Sequence, residues 1–276
     1  GADGCFFIVD LQSEQTGILD FDIEFPCDCT VYIGWGEHLL DGRCRTAVRN
    51  YQITYKAKAG RNCRLFPLLR LGCRYIQFFI AAPSAVVFYA GLRQTLYPLD
   101  VRPYDSPENP ARKAIYDVCV NTLRQCMHEH YEDCPWREQA LYANDARNQM
   151  LCGYFAFNEK KAARASLELI SHGVRKDGLL MLCYPAGLDF PIPAFSCMYF
   201  VQMEEYIRFT GDTTLAASKL DMLEKLIAVF AAKKQENGVI ENFYGEFEGQ
   251  NPYWNFYEWT PTMSGAFGEK NRRLEA

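Results

Sequence analysis

The sequence predicts a β-then-α chain: a β-sandwich of the jelly-roll kind over residues 1–104, linker included, and an antiparallel helical array over residues 105–276. Three observations carry this. Leu19, Phe21, Ile23 and Phe25 alternate with Asp20, Asp22 and Glu24, the period of a strand with one buried and one wet face. Past residue 110 the apolar residues recur every three or four positions instead. Between the two regimes Pro98, Pro103, Pro107 and Pro110 interrupt both periods, which sets a boundary near Tyr104.

The first region reads as short strands separated by turns. Burying the four large side chains of residues 19–25 is worth roughly 1.5–3 kcal/mol each, enough for a core strand. Further strands are expected over residues 30–35, 51–56, 75–80 and 85–92, with Tyr51, Ile53 and Tyr55 on one face. Pro26, Asp41-Gly42 and Gly60 supply turns. No helical stretch intervenes, hence the sandwich. Trp35 and Glu37 pair an aromatic face with a carboxylate and could bind a ligand, but packing for the Trp and a solvated position for the Glu are the favoured reading.

The second region opens with Asp105-Ser106-Pro107-Glu108, an N-cap signal with proline in the first turn. Ala111, Ile115, Val118, Thr122 and Cys126 then share a face, as do Ala163, Leu167, Ile170 and Val174. Two more helical faces are Phe195, Tyr199, Met203 and Tyr206, and Leu220, Leu223, Ile227 and Phe230. Loops at Lys176-Asp177-Gly178, Gly211-Asp212 and Glu236-Asn237-Gly238 separate five or six helices.

Composition excludes several function classes. With 49% hydrophobic and 23% charged residues, the 276-residue chain is globular and can bury a sizeable core. A net charge of −5 and a pI near 5.5 leave no basic surface for nucleic acid. No apolar run of about 18 residues suggests a membrane partner. The 12 cysteines lack paired C-x2-C spacing and only 4 histidines accompany them, so zinc is not expected; no metal-ligand set or cofactor is assigned, and the sequence leaves calcium open. Their scatter through strands and helices fits buried thiols in a reducing compartment, and a cytoplasmic location is the expectation. Removal of a signal peptide would instead make the protein secreted or periplasmic.

The site-like stretch is Asp133-Cys134-Pro135-Trp136-Arg137-Glu138-Gln139, followed by Tyr142 and Asp145-Ala146-Arg147. It gathers three carboxylates with Arg137, Trp136 and Tyr142 where a loop enters a helix. If that helix begins near Glu138, Glu138 and Asp145 lie about two turns apart on one side. An acidic helix N-terminus favoured by the macrodipole is an equally weighted alternative on spacing alone.

The residue order of that stretch resembles the signature of the α-L-rhamnosidases, glycoside hydrolases with an (α/α)6-barrel catalytic domain. Supporting pieces are Gln15-Thr16-Gly17, Gly36-Glu37, Asp41-Gly42-Arg43 and Gly72-Cys73-Arg74-Tyr75 in the sandwich. In the helical part they are Phe190-Pro191-Ile192-Pro193-x-Phe195-Ser196, Tyr206 with Thr210-Gly211-Asp212, and Trp254 to Thr262. Tyr142 stands where a tryptophan is common, Ala194 where an acid is expected, and Glu258-Trp259 where Asp-Trp is more frequent.

The resemblance implies inverting hydrolysis of terminal α-L-rhamnosides, with Glu138 as general acid and Asp133 and Asp145 holding sugar hydroxyls. Arg137, Tyr142, Tyr199 and Trp259 complete the expected substrate-binding set, although for Arg137 a role in holding a carboxylate is favoured. The family's general base is expected beyond Ala276. The polar ending Gly268-Glu269-Lys270-Asn271-Arg272-Arg273 lacks an apolar face, so a truncated product with the first part of the barrel is the expectation. Two other readings stand beside the hydrolase: a non-catalytic carbohydrate-binding remnant, and an assembly module or homodimer that covers an open barrel face.

Overall fold

The computed structural model describes residues 4–47, 50–104, 108–245, 252–261 and 263–265. The chain forms two compact units. The first comprises Gly1–Pro98, Asp105–His128 and Cys134–Gln139; the second comprises Leu99–Tyr104, Glu129–Asp133 and Ala140–Ala276.

In the first unit the strands are β1 (Cys5–Phe25), β2 (Cys29–Gly36), β3 (Leu39–Leu40), β4 (Arg43–Cys44), β5 (Gln52–Ala57), β6 (Gly60–Ile80) and β7 (Val86–Gln94). Five of them make an antiparallel sheet in the order β5-β2-β6-β1-β7, while β3 and β4 form a small ribbon. Each of β1 and β6 is 21 residues long and runs through the whole sheet. Their pairing shifts register between Asp10 and Gln15 and again between Ile18 and Asp20. Such irregularities bend a strand. Residues 66–69 of β6 fall in the second break, between the pairs Asp20↔Leu65 and Ile18↔Arg70, which accommodates Pro67 and leaves Leu68 99% exposed.

The bends fold the sheet over itself. Phe21 lies in the half extended by β7, whereas Phe78 and Tyr55 lie in the half extended by β2 and β5. The Phe21 ring nevertheless meets Tyr55 edge-on at 5.5 Å and Phe78 at 5.9 Å. A two-layer core results, filled by Leu19, Phe21, Ile23, Phe25, Val31 and Ile33, all at most 1% exposed. The alternation read from residues 19–25 therefore faces the core as expected, and Trp35 is a packing residue, 6% exposed. The sequence did not reveal the first halves of β1 and β6. Arg61, Asn62, Arg64 and Pro67 obscure the period of β6, and its strand state is imposed by pairing with β1.

Helix α1 (Pro110–Gln125) belongs to this unit. Asn109 caps it by accepting from the Arg112 amide at 3.1 Å, and Pro110 occupies its first turn. Residues 105–107 of the expected cap lie outside the described residues. Most of the expected face is turned outward: Ile115 and Val118 are 64% and 66% exposed, Cys126 at its end is buried, and Val120, Leu123 and Gln125 of the helix itself are buried. Polar anchoring explains the rotation. Gln125 Oε1 accepts from the Thr16 hydroxyl at 2.8 Å, and His128 Nε2 lies 3.1 Å from the same hydroxyl, with Arg70 at 2.7 Å from its Nδ1. Satisfying these buried groups outweighs hiding two aliphatic side chains.

The second unit holds α2 (Ala143–Ala156), α3 (Lys161–His172), α4 (Pro193–Thr210), α5 (Thr214–Ser218) and α6 (Leu220–Ala231). Ala163, Leu167 and Ile170 of α3 are buried, as are Phe195, Tyr199, Met203 and Tyr206 of α4. Both faces match the periodic reading except Val174, which lies past the end of α3 and is 41% exposed. In α6 the buried residues are Leu226 and Phe230, while Leu220 and Ile227 face outward.

Two loops repeat one design sixty positions apart. After α3, Val174 bridges Leu180, Gly178 has φ 86°, and Asp177 Oδ1 accepts from the Leu179 amide at 3.2 Å. After α6, Lys234 bridges Ile240, Gly238 has φ 87°, and Asn237 Oδ1 accepts from the Val239 amide at 3.0 Å. A left-handed glycine after an Asx residue makes the tight reversal in both. The same helix–reversal unit thus recurs in the helical region. Gly211, with φ 73°, ends α4, and its neighbour Asp212 accepts from the Tyr206 hydroxyl and from Arg164 at 2.8 and 2.5 Å. The Tyr206 to Asp212 motif thus fastens a helix end.

Candidate active site

The signature stretch is not helical where the sequence placed the helix. Residues 135–138 form a turn, and α2 begins only at Ala143. Glu138 and Asp145 therefore do not share a helix, and the two-turn spacing does not apply to them. The cause is local. Gln139 takes a left-handed φ of 54°, and the Asp133 and Ala140 backbones exchange a bond, Asp133 N to Ala140 O at 3.0 Å. Asp133 Oδ1 also accepts from the Ala140 amide at 3.0 Å, so this carboxylate closes the loop from within the second unit.

The predicted site residues divide between the units. Arg137 and Glu138 belong to the first; Asp133, Tyr142, Asp145, Tyr199 and Trp259 belong to the second. Arg137 and Glu138 are exposed, whereas Asp133, Tyr142 and Asp145 are half-buried. Tyr199 lies in the helical core. It is fully buried, and its hydroxyl donates to the Leu167 carbonyl at 3.0 Å, so it holds α4 against α3. Burial also pushes its phenol pKa up.

In the first unit the turn sits among sheet residues. Trp136 packs on Tyr51 at 4.9 Å and edge-on to His38 at 6.0 Å, and Arg137 lies close enough to Glu37 to act on its charge. Burial nonetheless raises the Glu37 pKa, and Arg137 and His38 offset only part of that. Half-buried Glu14, in the first register break of β1, is pushed up to about 8 by burial first and by Glu37 second. Its pKa in the unfolded chain is near 4.5. The folded state thus retains a proton that the unfolded state loses, and stability falls as pH rises from about 4.5 to about 8. Glu14→Gln is expected to stabilise the unit by roughly 2 kcal/mol at pH 8, a figure reduced for partial solvent exposure, and to have little effect at pH 4. Urea unfolding at both pH values checks this; an equal effect at the two would refute it.

In the second unit an aromatic cluster surrounds Trp259. Tyr142 meets Phe195 at 6.4 Å and Phe195 meets Phe256 at 6.0 Å. Phe256 and Trp254 lie 4.9 and 5.7 Å from Trp259, which is itself 74% exposed. One end of the cluster is buried and the other offers an open aromatic face, an arrangement able to stack on an apolar sugar face. Thr262, at the end of the matching segment, and residues 268–273 lie outside the described residues. An open groove of about 490 Å³ along α4, lined by Phe200, Met203, Ile207 and Leu223, contains none of the predicted site residues.

Sequence reasoning missed Glu205. Arg147 donates from Nε to Glu205 Oε2 at 3.0 Å and from Nη2 to Oε1, a bidentate pair joining α2 to α4, and this bond raises the Arg147 pKa. A glutamate on the buried face of α4, beside the apolar Phe195, Tyr199, Met203 and Tyr206, was the available signal. The 12 cysteines carry thiols and no disulfide. Cys44, Cys73, Cys126 and Cys183 are buried as expected, whereas Cys27, Cys63, Cys119 and Cys152 are exposed.

Fold and site together define a helical-hairpin protein preceded by a β-sandwich, with carboxylates and aromatic rings on the loops. The chain belongs to the bacterial alpha-L-rhamnosidase 6 hairpin glycosidase domain family, whose sequence profile matches residues 106–266. Among solved structures it is similar to the GH78 family rhamnosidase of Bacillus sp. GL1, at 23% identity and TM-score 0.81 over 95% of this chain and 27% of that one. It is also similar to the Klebsiella oxytoca rhamnosidase with rhamnose bound, at 19% identity and TM-score 0.72 over 88% and 52%. The Streptomyces avermitilis alpha-L-rhamnosidase complexed with L-rhamnose gives 14% identity and TM-score 0.68 over 94% and 26%. The chain thus spans about a quarter to a half of the length of these structures. No curated protein sequence matches it.

Proposed function

We propose that the chain carries the acid-bearing part of an α-L-rhamnoside hydrolase, and that Glu138 protonates the leaving glycosidic oxygen. The observation that carries this is the family match over residues 106–266, which contains the whole signature from Asp133 to Arg147. Inverting hydrolysis needs a protonated acid on one side of the sugar and a carboxylate that activates water on the other. We assign the acid to Glu138 and no general base to the described residues. Asp145 and Asp133 accept bonds from sugar hydroxyls in this reading, and Tyr142 and Trp259 supply the apolar wall that the C6 methyl of a 6-deoxy sugar requires. Arg137 holds the Glu37 charge and orients the turn.

The test is a pair of measurements on this chain: release of the aglycone from an aryl α-L-rhamnoside, and binding of L-rhamnose and L-mannose followed by tryptophan fluorescence. Rhamnose binding is expected, with L-mannose bound about tenfold more weakly because its C6 hydroxyl would be buried against rings, and turnover is expected only where a water-activating carboxylate completes the site. Rhamnose binding without hydrolysis would reduce the reading to carbohydrate binding. Equal affinity for the two sugars would refute the apolar wall, and absence of both binding and hydrolysis would refute the proposal.

A further inference from the structure

The turn that carries Glu138 is shaped by the sheet. Gly72 of β6 lies so close to Pro135 that a Cβ there would be 2.0 Å from the Pro135 carbonyl oxygen and 2.4 Å from its carbon. Only glycine allows that approach. Gln139 Nε2 donates to the Pro135 carbonyl at 2.8 Å, closing the turn on itself, and to the Arg70 carbonyl of β6 at 3.2 Å, tying it to the strand. Trp136 is driven against the sandwich core by Tyr51 on one side, and its ring edge lies 3.5 Å from the place a Cβ on Gly36 would occupy. Gln139 itself holds φ 54°, a conformation a non-glycine residue keeps only when its surroundings fix it.

These contacts bracket two residues, Arg137 and Glu138. Pro135 and Trp136 are fixed before them and Gln139 after, all by residues of the sandwich. Arg70 in turn is held by His128, whose Nε2 lies 3.1 Å from the Thr95 carbonyl, so the supporting segment of β6 has its own anchor at the end of α1.

We propose that the β-sandwich is the positioning element for the acid: Gly72, Trp136 and Gln139 are positioning residues that hold the Glu138 backbone in a single conformation. This rests on the assignment of Glu138 as acid, which gives the rigid turn its purpose. The sandwich is then part of the catalytic apparatus through the turn it holds.

The experiment uses the whole chain with Gln139→Ala, which removes the two amide bonds and should fold, and Gly72→Ala, which pushes directly on Pro135. Amide hydrogen exchange over residues 136–140 is expected to accelerate at least tenfold in both variants, with the amides of Leu19–Phe25 and of α2 unchanged. The Glu138 side-chain carboxyl ¹³C resonance, assigned by its loss in Glu138→Gln, is expected to broaden or split. On an aryl α-L-rhamnoside, kcat should fall about tenfold with KM within twofold of wild type, and Trp136→Phe should retain most of the rate that Trp136→Ala loses. Wild-type exchange and an unaltered carboxyl line in both variants would overturn the proposal. If instead Glu138→Gln keeps full activity while the turn loosens as described, the acid assignment fails and the support of the turn by the sheet stands.

Discussion

Glu138→Gln is expected to lower kcat on a phenyl α-L-rhamnoside by about 10²–10⁴-fold while leaving L-rhamnose affinity within a few-fold of wild type. Glutamine has the size and hydrogen-bonding reach of the acid but no proton to give. Loss therefore falls on the step in which the glycosidic oxygen gains charge, and not on ground-state binding. The size of the loss should follow the leaving group. A dinitrophenolate departs without protonation, so with that aglycone the variant should come within about tenfold of wild type. A loss independent of leaving group would mean that Glu138 acts otherwise than as the acid, and full activity on the phenyl substrate would remove it from the mechanism.

Glu205→Ala should destabilise the helical unit by about 3 kcal/mol, because it leaves a partly buried Arg147 without its bidentate partner. The pair is well shielded, with side-chain exposures of 27% for Arg147 and 10% for Glu205. An exposed pair such as Lys113 and Asp117, at 50% and 56%, should give less than about 0.5 kcal/mol when broken. The double change Arg147→Met with Glu205→Leu is expected to recover most of the stability, since two apolar side chains remove the uncompensated charge. Thermal unfolding of the single and double variants checks this. A single variant with wild-type Tm would show that the pair contributes nothing.

Arg147 lies within the family signature, two residues after Asp145, and the sequence by itself gives it no role. The structure gives it a role in joining α2 to α4. Tyr199 is likewise placed by the structure: an aromatic expected at the sugar is 0% exposed and bonded to Leu167. Trp259 and Tyr142, read by the same aromatic criterion, do join an aromatic cluster with an open end. Residue type could not separate these cases, because a tyrosine in a core and a tyrosine at a sugar have the same composition and spacing.

What the sequence determined by itself is the order of architectures, the strand of Leu19 to Phe25, the faces of α3 and α4, and the loop punctuation at Gly178, Gly211 and Gly238. All of these follow from short-range rules: side-chain alternation, helical periodicity, and the cost of left-handed backbone for residues other than glycine. The tertiary structure alone decided the length of β1 and β6, the outward turn of Ile115 and Val118 on α1, and the conformation of the signature. Each depends on partners distant in the chain. Thr16 lies 109 residues from the Gln125 it binds, and Arg70 lies 69 residues from Gln139. The stretch around Glu138 contains enough helix-favouring residues to start a helix, and it does not. Gly72 and the Arg70 carbonyl hold it as a turn, through contacts that no local pattern encodes.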